Sequence, residues 1–178
     1  MLSRGFRHSM KPNESNFGFL QPHETQLYRL GTLAERYFSE DPNTCNIKLR
    51  QFSELVAQFT ASRLGLSVAQ SDNLADLLRL LKIECNLPKQ VIEILHSLRI
   101  AGNQAAHQNT DDHSTALSGL KLARQLAIWY FRTFHKPSGG FGPFIPPDKP
   151  KDVSDSIVLD VDFHPELSRV FHRELSHL

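Results

Sequence analysis

Between Pro22 and His135, large apolar residues recur at helical spacing in five separate stretches, each bounded by residues that start or stop helices. This pattern limits the chain to helix-on-helix packing, because no stretch of the region alternates apolar and polar residues as a half-buried strand would. The first stretch runs from Pro22 to Phe38, with Leu27, Leu30, Ala34 and Tyr37 on its stripe. Asp41-Pro42 opens the second: an aspartate caps exposed amides, and a proline fits the first turn. That helix carries Leu49, Phe52, Leu55, Val56 and Phe59 and should stop at Gly65, a residue suited to the left-handed conformation. A third begins after Ser71-Asp72 with Leu74, Leu77, Leu78 and Leu81. A fourth starts at Pro88 with Val91, Ile92, Leu95 and Leu98. The fifth follows Asp111-Asp112 and carries Leu120, Ala123, Leu126, Ala127, Tyr130, Phe131 and Phe134.

The expected fold is all-α: an antiparallel bundle of about five helices joined by short connections. Burying roughly 20 large apolar side chains, at about 1.5–3 kcal/mol each before entropy is subtracted, is ample to hold it. The division expected along the chain is a leader (1–15), a helical bundle (16–136) and a linker with a short tail (137–178). Pro137 to Pro150 holds five prolines and three glycines in fourteen residues, a composition for an extended arm and not a helix. Phe141, Phe144 and Ile145 are placed to pin that arm to the bundle. Beyond it, Ser156 to Val161 reads as a short strand and Pro165 to Leu175 as a short helix.

Charge is balanced, with 20 Lys+Arg against 19 Asp+Glu, so any contact with nucleic acid has to be local. Twelve basic residues, among them Arg50, Arg63, Arg99, Arg124 and Arg132, are spread over all five helices and read as a solvated face. Trp129-Tyr130-Phe131 reads as core plus one rim position. The two cysteines, Cys45 and Cys85, make neither a disulfide scaffold nor a zinc site and are expected as reduced thiols. The histidines show no ligand spacing, and no phosphate loop, dinucleotide fingerprint or nucleophile elbow is present, so no metal, cofactor or small-molecule substrate is expected. With no secretory signal and no apolar run near the roughly 20 residues of a membrane span, a cytoplasmic location is expected.

The most unusual segment is Leu98-Arg99-Ile100-Ala101-Gly102-Asn103-Gln104-Ala105-Ala106-His107. Asn103 and His107 lie four apart and share a helix face, while Gly102 and the alanines let another backbone come close. His107 is the candidate acid or base and Asn103 the candidate orienting group. The alternative is that both are structural, hydrogen-bonding neighbouring helices.

Four ordered segments carry a family resemblance. Ser15-Asn16-Phe17-Gly18-Phe19-Leu20; Asp41-Pro42-Asn43-Thr44 followed by Lys48 to Glu54; Leu98 to His107, in the form LR-x-x-GN-x-A-x-H; and Leu122 to Phe131 together resemble the N-terminal region of type I restriction enzyme R subunits. The similarity covers Ser15 to Lys136. It implies an uncharacterised helical domain, similar to the HEPN class of bundles, placed ahead of a nuclease and two helicase motor domains. The implied partners are the modification and specificity subunits and DNA, and a homodimer is compatible with the HEPN likeness. The full-length family cuts DNA and translocates it with ATP. This chain alone shows no nuclease carboxylate cluster and no ATP site, so a non-catalytic interaction module is expected, with Arg99, Gly102, Asn103 and His107 as its interface. Two other readings stand beside it: a HEPN-like ribonuclease or toxin, and a regulatory or scaffolding bundle unrelated to restriction. HEPN ribonucleases carry an arginine just before the polar residue; here Gly102 occupies that place, and Arg99 lies eight positions before His107.

Overall fold

The computed structural model describes residues 15–66, 73–107, 112–137 and 139–148. The expected strand at 156–161, the helix at 165–175 and most of the leader lie outside the described residues. Within them the chain is all-helical, with no strand, and the five expected helices are all present: α1 (Thr25–Tyr37), α2 (Pro42–Arg63), α3 (Leu74–Glu84), α4 (Lys89–His107) and α5 (His113–His135). A single 3-10 turn, Gly18–Leu20, precedes them.

Local chemistry sets most of the helix ends. The Asp41 carboxylate accepts the Thr44 amide at 2.8 Å, and Pro42 occupies the first turn of α2. At its other end Gly65 takes a left-handed φ of 79°, which lets the Leu66 amide reach back to the Ala61 carbonyl at 2.9 Å and close the helix. Asp112 caps α5 by accepting the amides of Ser114 and Thr115. At α3 the cap is Asn73, one residue later than the expected Ser71-Asp72 boundary; its side-chain oxygen accepts the Asp76 amide. α1 begins at Thr25 and not at Pro22. Its buried stripe is Leu27, Gly31, Ala34 and Phe38, so the expected Tyr37 turns outward at 38 % exposure. Gly31 is small because the Phe17 ring lies across it: a Cβ there would be 2.4 Å from the ring.

α2 touches every other helix. It therefore has little solvent face, which explains why Asn43, Asn46, Ser53 and Thr60 are buried along with Leu49, Phe52, Val56, Ala57 and Ala61. It runs antiparallel to α1 and α4 and parallel to α5: Arg63 at its end reaches Glu24 before α1, Arg50 near its start reaches Asn103 late in α4, and Asn46 and Arg63 face Gly119 and Tyr130 in order along α5. Tyr130 and Phe131 are core and Trp129 is half-buried, as the sequence suggests.

After α5, Lys136 turns left-handed (φ 49°) and residues 139–148 return along the bundle as an extended strap. Phe141 and Phe144 pack against the core, whereas Ile145 leaves its side chain 59 % exposed and is held by its backbone.

Candidate functional site

The site singled out in the sequence lies where α4 crosses α2. Gly102 is buried there, and a Cβ on it would fall 2.4 Å from Arg50 Cβ and 3.0 Å from the Asn46 carbonyl. Only glycine allows this approach, and the approach has a chemical consequence. The Arg50 side chain crosses to α4 and donates from Nη1 to Asn103 Oδ1 at 3.0 Å. Arg99, one turn before Asn103, is half-buried, with its Nε shielded from solvent and without a hydrogen-bond partner. His107, one turn after Asn103, is exposed at the end of α4. Arg99, Asn103 and His107 thus form one stripe along α4, and Arg50 joins it from α2.

This arrangement alters one sequence expectation. A cation is absent at position 102 of the chain, but Arg50 brings one to Asn103 through space. Among the described residues, neither Arg50 nor Arg99 forms an ion pair with a carboxylate; the pairs present are Arg63–Glu24 and Lys89–Glu93, with His135 Nε2 in hydrogen-bond contact with Glu24. Beside the stripe, a polar cavity of about 150 Å³ opens between the start of α2, the end of α4 and the start of α5, lined by Asn43, Asn46, Gln104, Asp112 and Thr115 among others. Asp112 is an exposed part of that lining; hydrogen bonds from the Thr115 hydroxyl and amide and from Ser114 hold its carboxyl down at about 2.

Two polar centres were not visible in the sequence. The first gathers on Glu24, only 7 % exposed, whose Oε1 accepts from Arg63 Nη2 at 2.7 Å and from the Tyr130 hydroxyl at 3.0 Å, with His135 Nε2 at 2.8 Å. Burial, and then the Glu24 charge, push the Tyr130 hydroxyl far above its usual range. The second gathers on Glu35, 3 % exposed, which accepts from Ser15 Oγ (2.6 Å), the Asn16 amide (3.0 Å) and Asn16 Nδ2 (2.7 Å). Burial raises the Glu35 carboxyl above its ordinary value against those hydrogen bonds. Arg50, Arg63 and Arg124 are therefore more than solvated charges; each also holds a tertiary contact. Helical spacing could not reveal these roles, because each partner comes from a distant element. Cys45 and Cys85 are both free thiols, and burial pushes Cys45 up to about 12.

Residues 32–131 match the family described as domain of unknown function DUF4145. The chain belongs to the DUF4145 family. The matched span runs from within α1 to within α5 and includes the whole Arg50–Arg99–Asn103–His107 stripe, so the stripe is part of the DUF4145 domain itself. The chain is also 37 % identical over 126 residues to the type I restriction enzyme EcoKI endonuclease subunit of Escherichia coli (strain K12). That match covers 70 % of this chain and 10 % of the relative, so the DUF4145 chain spans about a tenth of the relative's length. No solved structure matches it. Among the described residues no helix is long and apolar enough to cross a membrane, and no group of three His, Cys, Asp or Glu could hold a metal ion.

Proposed function

We propose that this chain is a non-catalytic interaction domain serving DNA restriction, in the manner of the N-terminal part of a type I restriction R subunit. Its working edge is the Arg50–Arg99–Asn103–His107 stripe, which contacts DNA phosphates. The modification and specificity subunits are the protein partners this reading implies. The observation that carries the proposal is the Arg50–Asn103 hydrogen bond across Gly102. It holds one guanidinium at the surface of the α2–α4 crossing, with a second, Arg99, one turn away and neither matched by a carboxylate. Planar guanidinium groups free of carboxylates suit phosphate oxygens, and such contacts position a protein on nucleic acid without reading its sequence. The near-neutral net charge agrees with a local contact and not a wide basic surface.

Binding to duplex DNA in a salt titration tests this. Two phosphate contacts predict a slope of about −1.8 in log K against log salt, and Arg50→Met or Arg99→Met should each make it shallower by about 1. A slope unchanged in both folded variants would refute the assignment.

The HEPN-like ribonuclease reading gains support from the same contact, since Arg50 brings to Asn103 the cation that position 102 lacks. Against it, the described residues supply His107 with no second acid or base one turn away on α4, and a lone histidine only moves a proton. Incubation with mixed RNA separates the two: cleavage by the natural chain that vanishes in a fully folded His107→Ala variant would establish the ribonuclease.

A further inference from the structure

The strap is held in an unusual way. Asn16 Nδ2 donates to the Ile145 carbonyl at 2.6 Å, and the Ile145 amide donates to Asn16 Oδ1 at 2.8 Å, so one side-chain amide pairs with both main-chain groups of one residue. Arg124 Nη2 donates to the carbonyls of Phe141 (2.6 Å) and Gly142 (2.9 Å). Ser39 Oγ donates to the carbonyl of Asp148 at 2.6 Å. Every one of these bonds joins strap main chain to a side chain, and those side chains come from the segment before α1, the turn after α1, and α5. The Phe141 ring adds an anchor, edge-on to Phe19 at 4.8 Å and under the Arg132 guanidinium at 5.2 Å. One wall of the groove is fixed by contacts that do not involve the strap: Glu35, itself buried, holds Asn16 through both its backbone and its side-chain amide.

A groove that reads main chain and aromatic anchors binds a peptide segment as such, and does not require that the peptide be attached nearby. The strap's attachment is slight. Between the end of α5 and Phe141 lie Lys136, in the left-handed region, and Gly139 and Gly140, whose missing side chains would meet nothing within 4 Å. We infer that the groove of Asn16, Ser39, Arg124 and Phe19 is a peptide-binding interface whose second occupant is the strap of another copy of this chain, giving reciprocal strap exchange. The second copy is the partner of choice because its strap, Gly139 to Asp148, is the one sequence already seen to fit. Exchange trades identical contacts, so the tether decides the outcome: a short tether supplies an effective concentration on the order of millimolar, and the strap folds back on its own chain until that advantage is removed or copies are crowded together.

The test removes the tether's advantage. Deleting Pro137 to Gly140 sets Phe141 two positions after His135, a reach of at most about 7 Å, too short a step to bring it back beside both Phe131 and Arg124 of its own α5. Sedimentation at about 50 µM, far below that effective concentration, should show the deleted chain as a dimer. Adding Asn16→Ala should return it to monomer. A second measurement avoids the deletion: a fluorescent peptide copying residues 139–148 is titrated into full-length chain carrying Phe141→Ala and Phe144→Ala. It should bind at least tenfold more tightly than to the natural chain, and Asn16→Ala should weaken it at least tenfold. A deletion variant that stays monomeric, or no peptide binding to the folded double variant, overturns the inference. Neither experiment involves nucleic acid, so this inference and the phosphate-contact reading fail separately.

Discussion

A methyl group at position 102 would gain helix propensity worth about 1 kcal/mol, because glycine is the poorest helix former after proline. It would also meet Arg50 Cβ at 2.4 Å and the Asn46 carbonyl at 3.0 Å, neither of which is the far end of a flexible side chain. Steric overlap in a packed interface wins over propensity, so Gly102→Ala should destabilise by about 1–3 kcal/mol in chemical denaturation. The same change should weaken the Arg50–Asn103 contact and, on the proposed reading of the stripe, DNA affinity. Two carboxylates make opposite predictions for pH. Burial raises Glu35 in the folded chain above its ordinary 4.5, so the folded state holds that proton more tightly than the unfolded state. Its favourable contribution is complete below about 4.5 and is lost as pH rises through the raised value. The natural chain should therefore lose stability relative to Glu35→Gln as pH rises across that window. Asp112 is held down at about 2 from 3.8 by the Thr115 and Ser114 hydrogen bonds. Its contribution is present above 3.8 and lost as pH falls toward 2, so the natural chain's advantage over Asp112→Ala should shrink with acid. Melting curves of the three proteins across pH 2–7 check both signs.

The helices show how far short-range chemistry reaches. Asp41-Pro42, Gly65 and Asp112 punctuate the structure where they punctuate the sequence, because a cap or a left-handed turn is settled within four residues. Asp41→Ala should cost about 1 kcal/mol through loss of the cap on α2. Leu95 is 1 % exposed on the stripe of α4, and Leu95→Ala should cost about 2–5 kcal/mol, read from denaturant midpoints. The start of α1 was less legible. Pro22 looks like a first-turn proline, yet the helix begins at Thr25, and Glu24, in the capping position, makes no cap. Its carboxylate is spent instead on Arg63, Tyr130 and His135. A local rule gave way to three long-range hydrogen bonds.

On the scale of the whole molecule, two buried carboxylates tie the bundle at opposite ends of α1: Glu24 joins it to the ends of α2 and α5, and Glu35 joins it to the leader and, through Asn16, to the strap. Removing Glu24 with alanine deprives the Tyr130 hydroxyl, the Arg63 guanidinium and the His135 ring of one acceptor, and should lower stability by about 1.5–3 kcal/mol, less than for a sealed pair because Arg63 still reaches water. Asn103, Gly102, Arg99 and His107 stood out in the sequence as a candidate site because small residues and a polar pair at helical spacing form a pattern along one helix. Arg50 was not, since its pairing with Asn103 spans 53 positions and depends on how closely α2 and α4 cross. The amino-acid sequence by itself determined the number of helices, most of their ends and the apolar stripes, all of which rest on interactions within a turn or two. Only the tertiary structure decided that α2 lies at the centre, that a cation stands beside Asn103 and that residues 139–148 are held through their main chain by Asn16, Ser39 and Arg124. Those outcomes depend on which distant donors and acceptors meet once the apolar faces have closed, and burial makes each such meeting costly to leave unmade.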